Sequence, residues 1–194
     1  MNHLAHLYLS QSDPDWMVGN FIADFVKGKA LSTFSPRIQE GIQMHRFIDE
    51  YMDNHTEVKK AKQRLYPHYG KYAAVIVDMY YDHILARNWS DFSPLKLNTF
   101  TTAAYKMLHS RRPIMPKRSL PTLDHMSAND WLSGYAQIHG MQKAFNGLSR
   151  RAKFDSKMEK ATLQLEEDYE QLREEFHRYL PELMQELQLK FGPF

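Results

Sequence analysis

The chain has 194 residues, 43% hydrophobic and 13% aromatic, with 8 glycines and 9 prolines: enough apolar material for one good core, and too little Gly and Pro for a disordered chain. Cysteine is absent, which excludes a disulfide framework or a thiolate metal site and suits a reducing compartment. The formal net charge is only +2, the opening MNHLAHLYLS carries neither a basic leader nor a long apolar stretch, and no run approaches the ~18 apolar residues of a membrane span, so the expectation is one cytoplasmic domain over residues 1–194.

Along the chain the punctuation is helical. Asp13-Pro14, Ser35-Pro36 and Ser93-Pro94 each place a capping residue before a proline suited to the first helical turn. The first pair predicts a helix over about 14–27 that stops at Gly28, the second a helix over about 36–53, and the third a further helix start. EVKKAKQRLY reads as a short helix and residues 71–89 as a longer one. Ser127 with Asp130 resembles a capping box opening a helix through Trp131 and Tyr135, which Gly134, Gly140 and Gly147 shorten or interrupt. From about Asp155, the residues Leu163, Tyr169, Leu172, Phe176, Tyr179, Leu183 and Leu187 recur at helical spacing, and Pro181 is expected to kink or split that segment. No segment alternates with period two, and no internal repeat is present. The predicted fold class is all-α: a compact, irregular helical bundle with a long C-terminal helix or helix pair.

Acids recur where the helical pattern predicts burial. Asp78 and Asp82 stand four apart within VIVDMYYDHILARNW, on a stripe with Val75, Leu85 and Trp89. His45 and Asp49 share a face with Ile38, Ile42 and Met52; Asp24 lies inside GNFIADFVKG; His3 and His6 punctuate LAHLYL. Burying ionised carboxylates costs several kcal/mol unless a positive or hydrogen-bonding group compensates them. Arg or Lys from another helix would serve, and so would a cation. Mixed carboxylate and imidazole ligands on facing helices suit Mn²⁺, Mg²⁺ or Fe²⁺, the equipment for hydrolysing a phosphate ester.

Charge is unevenly spread. Residues 92–123 hold six bases (Lys96, Lys106, Arg111, Arg112, Lys117, Arg118) and no acid, a candidate patch for an anionic partner. Residues 155–189 hold ten acids and four bases, as expected of a solvated helix face. Glycine-rich nucleotide loops, the G-x-S-x-G elbow and the H-E-x-x-H zinc signature are missing. HSRRPIMPKR has no stacking platform beside it, so nucleic acid is not an expected partner.

Four stretches in order, MNHLAHLYLS, GNFIADFVKG, GIQMHRFIDE and VDMYYDHILARNWS, resemble the motif series of acyl carrier protein phosphodiesterases, closely over residues 1–92 and more loosely to the C-terminus. The resemblance implies an HD-domain-like fold, as an unusual all-helical branch of the HD phosphohydrolases. It implies removal of phosphopantetheine from holo acyl carrier protein with a divalent metal, typically Mn²⁺. It implies that Asp24 fills a ligand position that most HD proteins give to His, and it makes His45 and Asp78 ligand candidates with Asp49 and Asp82 close behind. An adjacent His-Asp pair is absent; only Asp82-His83 and Asp124-His125 occur, so the roles of Asp49, Asp82 and His83 are exchangeable. The expected metal ligands are therefore Asp24, His45, Asp49 and Asp78, with Asp82, His83 or His6 moving protons. Arg111, Arg112, Lys117 and Arg118 are expected to dock the acidic carrier, with Lys59, Lys60, Lys62 and Arg64 as a second candidate patch. Two alternatives are a hydrolase of a nucleotide or another small phosphoester, and a non-enzymatic helical module whose buried acids pair with Arg46 or Arg87.

Overall fold

The computed structural model describes residues 1–192, and among them it contains α- and 3₁₀-helices and no strand. The helices are α1 (His3–Leu9), α2 (Pro14–Ile22), α3 (Pro36–Asn54), α4 (Thr56–Tyr69), α5 (Ala73–Arg87), α6 (Leu97–Ser110), α7 (Leu120–Ala128), α8 (Trp131–Gly134), α9 (Ile138–Arg151), α10 (Ala161–Glu167) and α11 (Tyr169–Phe191). The all-α expectation holds, and no helix among the described residues is long and apolar enough to cross a membrane.

The expected starts of α2 and α3 form because Pro14 and Pro36 occupy the first turn, and the Asp13 carboxylate accepts hydrogen bonds from the amides of Asp15 and Trp16. Three local expectations fail. Ser93-Pro94 starts no helix: the Trp89 indole donates to the Leu95 carbonyl at 2.7 Å and fixes a turn there, so α6 begins only at Leu97. Ser127 caps nothing, because it lies in the last turn of α7 with its hydroxyl engaged by His109 and the Asp124 carbonyl. Gly140 and Gly147 do not break α9.

The α-helical part of α2 is also shorter than expected, giving way to a 3₁₀ turn over Ala23–Phe25. At the other end of the chain the tail is a helix pair, divided at Asp168 rather than at Pro181, through which α11 runs on. Tyr179, Leu180, Leu183 and Leu187 are buried on both sides of that proline, and their burial offsets the hydrogen bond it removes. Leu163, expected on the apolar face, is 68% exposed on α10.

Two features of the packing position the later site. First, α2 and α3 cross at Gly19 and Gly41: a Cβ at Gly19 would collide with the Ile38 carbonyl, and one at Gly41 would lie 2.6 Å from the Trp16 carbonyl. Second, α1 is buried through Leu4, Ala5, Leu7 and Leu9, and its N-terminus rests on Asp82 of α5. That carboxylate is fully buried and accepts hydrogen bonds from the amides of Asn2, Leu4 and Ala5 at 3.2, 2.8 and 3.2 Å.

The crossing predicts an inverted response to a helix-favouring change. Alanine exceeds glycine in helix propensity by about 1 kcal/mol. Gly19→Ala should nevertheless destabilise the protein by about 1–3 kcal/mol through overpacking. Thermal denaturation checks this, and an unchanged or raised Tm would show that the helices do not depend on that approach.

Candidate metal centre

The first turn of α1, the 3₁₀ turn after α2, the middle of α3 and the start of α5 face one cleft of about 410 Å³, whose walls include His3, His6, Asp24, His45, Asp49 and Asp78. His6 and His45 are buried and stack with ring centroids 4.0 Å apart. One ligand atom from each of His6, His45 and Asp49 lies within 4.8 Å of the others. His45 Nε2 is 3.2 Å from Asp49 Oδ2 and 3.5 Å from Asp24 Oδ1, and His6 Nε2 is 3.2 Å from Asp49 Oδ1. Asp24, 73% exposed at its side chain, stands on the solvent side of the cleft. Asp78 faces the Met1 ammonium at 3.2 Å.

The orientation of His6 bears on what the cluster can hold. Its Nδ1 lies 3.1 Å from Asn20 Oδ1, while Asn20 Nδ2 donates to Ser10 Oγ, which in turn donates to the His6 carbonyl. That chain gives Nδ1 the proton and leaves the Nε2 lone pair aimed at Asp49, buried and without a hydrogen-bond partner. Burial, reinforced by His45, pulls the His6 pKa down to about 4, so the ring is neutral. Imidazole nitrogens beside ionised carboxylates are the donor set of a divalent cation, and His6 already presents a free lone pair to one.

The positive charge among these acids falls on His45, whose ring proton an incoming cation would have to displace. Burial disfavours a charged His45, but hydrogen bonding to Asp24 and Asp49 outweighs it and lifts the ring to about 9. Burial likewise opposes charge on Asp49, yet His45, His6 and the Met1 ammonium hold its carboxyl well below the usual carboxylate range. Hydrogen bonding to His45 lowers Asp24, whereas burial raises Asp78 against the pull of the Met1 ammonium. Among the described residues no Lys or Arg pairs with Asp24, Asp49 or Asp78. Arg46 donates to the Val26 carbonyl and Arg87 stacks over Tyr169, so the ion pairs expected of a purely structural acid network are missing.

The expected residues thus separate. Asp24, His45, Asp49 and Asp78 share the cleft, and His6, expected only as a proton carrier, stands among the ligand atoms. Asp82 and His83 point elsewhere. Burial raises Asp82 to about 7 against the opposing pull of the Met1 ammonium and of the Leu4, Ala5 and Asn2 amides, and its oxygens are taken up by those amides. His83 is fully buried, lowered by burial to about 4, with Nδ1 donating to the Tyr135 carbonyl at 2.6 Å. Neither lines the cleft, so neither is placed to exchange a proton with a substrate there. His3, noted in the sequence only as a polar interruption, lines this cleft and both cavities beside it. Its signal was the spacing to His6, three residues on, which puts both rings on one face of α1.

The basic surfaces also need correction. Arg112 pairs with Asp124 and Arg111 lies 3.4 Å from Asp15, acids outside the 92–123 window. Lys117 and Arg118 remain exposed, in a turn leading into α7, whose Pro121, Thr122 and His125 share a cavity with His3 and Asp24. In the second patch, Lys60 pairs with Glu57, Lys62 with Asp53 and Arg64 with Glu175, so three of its four charges are matched internally.

Two outcomes follow from these positions. Mn²⁺ added to chelator-treated protein should raise the Tm by several degrees, since ligand at a hundred times its Kd contributes about 2.7 kcal/mol. His6→Ala, His45→Ala and Asp49→Ala should remove that shift and Asp124→Ala should keep it; a Tm indifferent to metal and chelator would dismiss the centre. Asp82→Ala should cost at least about 2 kcal/mol, because it orphans buried amides, and a Tm matching the parent would show that α1 does not need its anchor.

A family model described as acyl carrier protein phosphodiesterase matches residues 1–183. Curated proteins of that same description are similar to this chain: one from Klebsiella pneumoniae is 33% identical over 95% of this chain and 96% of its own length. Another, from Salmonella agona, is 32% identical over the same shares, and one from Escherichia coli O6:H1 is 32% identical over 98% of this chain and 99% of its own. No solved structure matches. With the match running from the first turn of α1 into α11, and the relatives aligned over nearly their whole length, the chain belongs to the acyl carrier protein phosphodiesterase family.

Proposed function

We propose that the protein hydrolyses the phosphodiester linking phosphopantetheine to the serine of holo acyl carrier protein, with a divalent cation, Mn²⁺ before Mg²⁺ or Fe²⁺, held by His6, His45 and Asp49 and flanked by Asp24 and Asp78. The convergence of these donors in an open cleft is the observation that carries this reading. A cation bound there supplies positive charge beside a phosphodiester and makes water a better nucleophile at neutral pH.

Water forms the new P–O bond, the bond to the serine oxygen breaks in line, and the serine leaves as a hydroxyl once it takes up a proton. The protein's own groups divide that work. Asp24, ionised and mostly exposed, offers two acceptor oxygens at the cleft opening and orients water there. Asp78, whose carboxyl burial pushes upward, is suited to lend a proton from a carboxyl oxygen to the departing serine. Asn20 and Ser10 hold the His6 ring in place, so the donor geometry does not have to reorganise as charge develops.

The carrier is a small acidic protein. Lys117 and Arg118 suit it best, because their charges are not consumed by the pairs that engage Arg111 and Arg112. The basic turn leads into α7, whose Pro121, Thr122 and His125 share a cavity with His3 and Asp24, and this supports docking beside the cleft opening.

Incubation with holo carrier and Mn²⁺ should release phosphopantetheine, seen as the corresponding mass loss in the carrier; an intact carrier under turnover conditions would reject the reaction. Replacing Lys117 and Arg118 together by Glu should raise the apparent KM for the carrier more than it lowers kcat, and more at low salt than at high, as expected of attraction screened over a Debye length of about 8 Å at physiological ionic strength. Identical carrier kinetics at all salt concentrations would move docking to another face.

A further inference from the structure

A second cavity, of about 300 Å³, opens between α8 and α9. Asn2, His3, Met79 and Leu148 line both it and the metal cleft, so it begins where the cleft ends. Its volume is at the small end of those that hold ligands.

Its α9 wall is unusually open. Gly140, Ala144 and Gly147 follow one another at helical spacing and all line the cavity. Packing accounts for Gly140, since a Cβ there would run into the Gly134 carbonyl as α8 folds back on α9. Packing does not account for Gly147: a Cβ there would meet nothing within 4 Å, although a glycine inside a helix costs about 1 kcal/mol against alanine. What Gly147 preserves is room.

An independent feature points to an occupant. Tyr135 lines the same cavity, is 3% exposed, and its hydroxyl has no hydrogen-bond partner among the described residues. Burial raises its pKa well above the ordinary phenol, so it stays a neutral O–H donor, available to an acceptor that enters the cavity. Asp130, whose φ of 43° is strained for a non-glycine residue, forms part of the wall, as backbone strain often does beside bound groups.

We infer that this cavity seats the pantetheine arm of the substrate, with its phosphate in the metal cleft, Gly147 making room for the chain and the Tyr135 hydroxyl donating to an amide carbonyl of the arm. An arm of this kind is slender, uncharged and rich in amide acceptors, and it is tethered at one end to the phosphorus that the cleft holds. A bulkier occupant would not suit the glycine wall, and the charged groups of the lining, Asp130, Lys143 and Arg151, stand around the arm rather than on it. This inference rests on the proposed reaction and deepens it, by assigning the specificity for a pantetheine-bearing phosphodiester to α8 and α9.

The test compares two substrates in the metal-loaded full chain: holo carrier protein, and bis(4-nitrophenyl) phosphate, which has no arm. Gly147→Leu should lower the ratio of kcat/KM for the carrier to kcat/KM for the small diester by more than about tenfold, because the new side chain fills the arm's path. Tyr135→Phe, which keeps the ring and the packing, should raise KM for the carrier about fivefold and change kcat less. Should Gly147→Leu fail to fold, Tyr135→Phe alone decides. Parent-like ratios in the folded variants, with phosphopantetheine still released by the parent, would overturn the assignment of this cavity and leave the reaction standing. A parent that releases no phosphopantetheine would overturn both.

Discussion

The seating of α1 on Asp82 is the interaction on which the rest of the site depends. A seven-residue helix has little stability of its own, and its first amides lack partners within the helix. Asp82 places a carboxyl group at the positive end of that helix and accepts three of those hydrogen bonds. Burying the carboxylate is costly, and the amides and helix dipole are what make it tolerable. Because the contact fixes both the height and the rotation of α1, it also fixes where His6 meets His45 and Asp49 of α3 and where His3 enters the cleft. An acid expected to move protons, alongside His83 and His6, is therefore the one that holds the histidine-bearing helix in place.

A second constraint is the close crossing of α2 and α3. With no side chain at Gly19 and Gly41 the backbones touch, and the end of α2 is drawn over the middle of α3. Asp24, on the 3₁₀ turn that follows α2, is thereby brought to within 3.5 Å of His45. Two glycines that carry no reacting group thus set the reach of a carboxylate at the cleft mouth.

The distribution of positive charge gives the cluster its chemical character. Arginines that might have neutralised the acids are occupied elsewhere: Arg64 by Glu175 in a bidentate pair, Arg46 by a backbone carbonyl, Arg87 by the Tyr169 ring. The carboxylates of the cleft are left with the Met1 ammonium and two imidazoles, one of them neutral. Such a cluster retains its attraction for a cation, whereas a guanidinium in the same place would have closed the site. The same accounting reshapes the surface, since Arg111 and Arg112 meet acids beyond their own basic segment while Lys117 and Arg118 stay exposed.

Local chemistry sufficed for much of this protein. The all-helical class, the starts of α2 and α3, the shared face of His45 and Asp49, and the family resemblance of the four motif stretches are all properties of short segments, decided by helical period and by proline geometry. What tertiary structure alone decided is which of those segments meet. The four-residue spacing of Asp78 and Asp82 shows that they share a face, but not that the stripe passes from an open cleft at Asp78 to the sealed end of another helix at Asp82. His6 became a ligand candidate through an amide fourteen residues away, and the free charge of Arg112 disappeared into an acid just outside the window in which it was counted. Periodicity fixes a residue's direction relative to its own helix axis; its partners depend on helix crossings that are set by glycines, buried volume and the matching of charges across the fold.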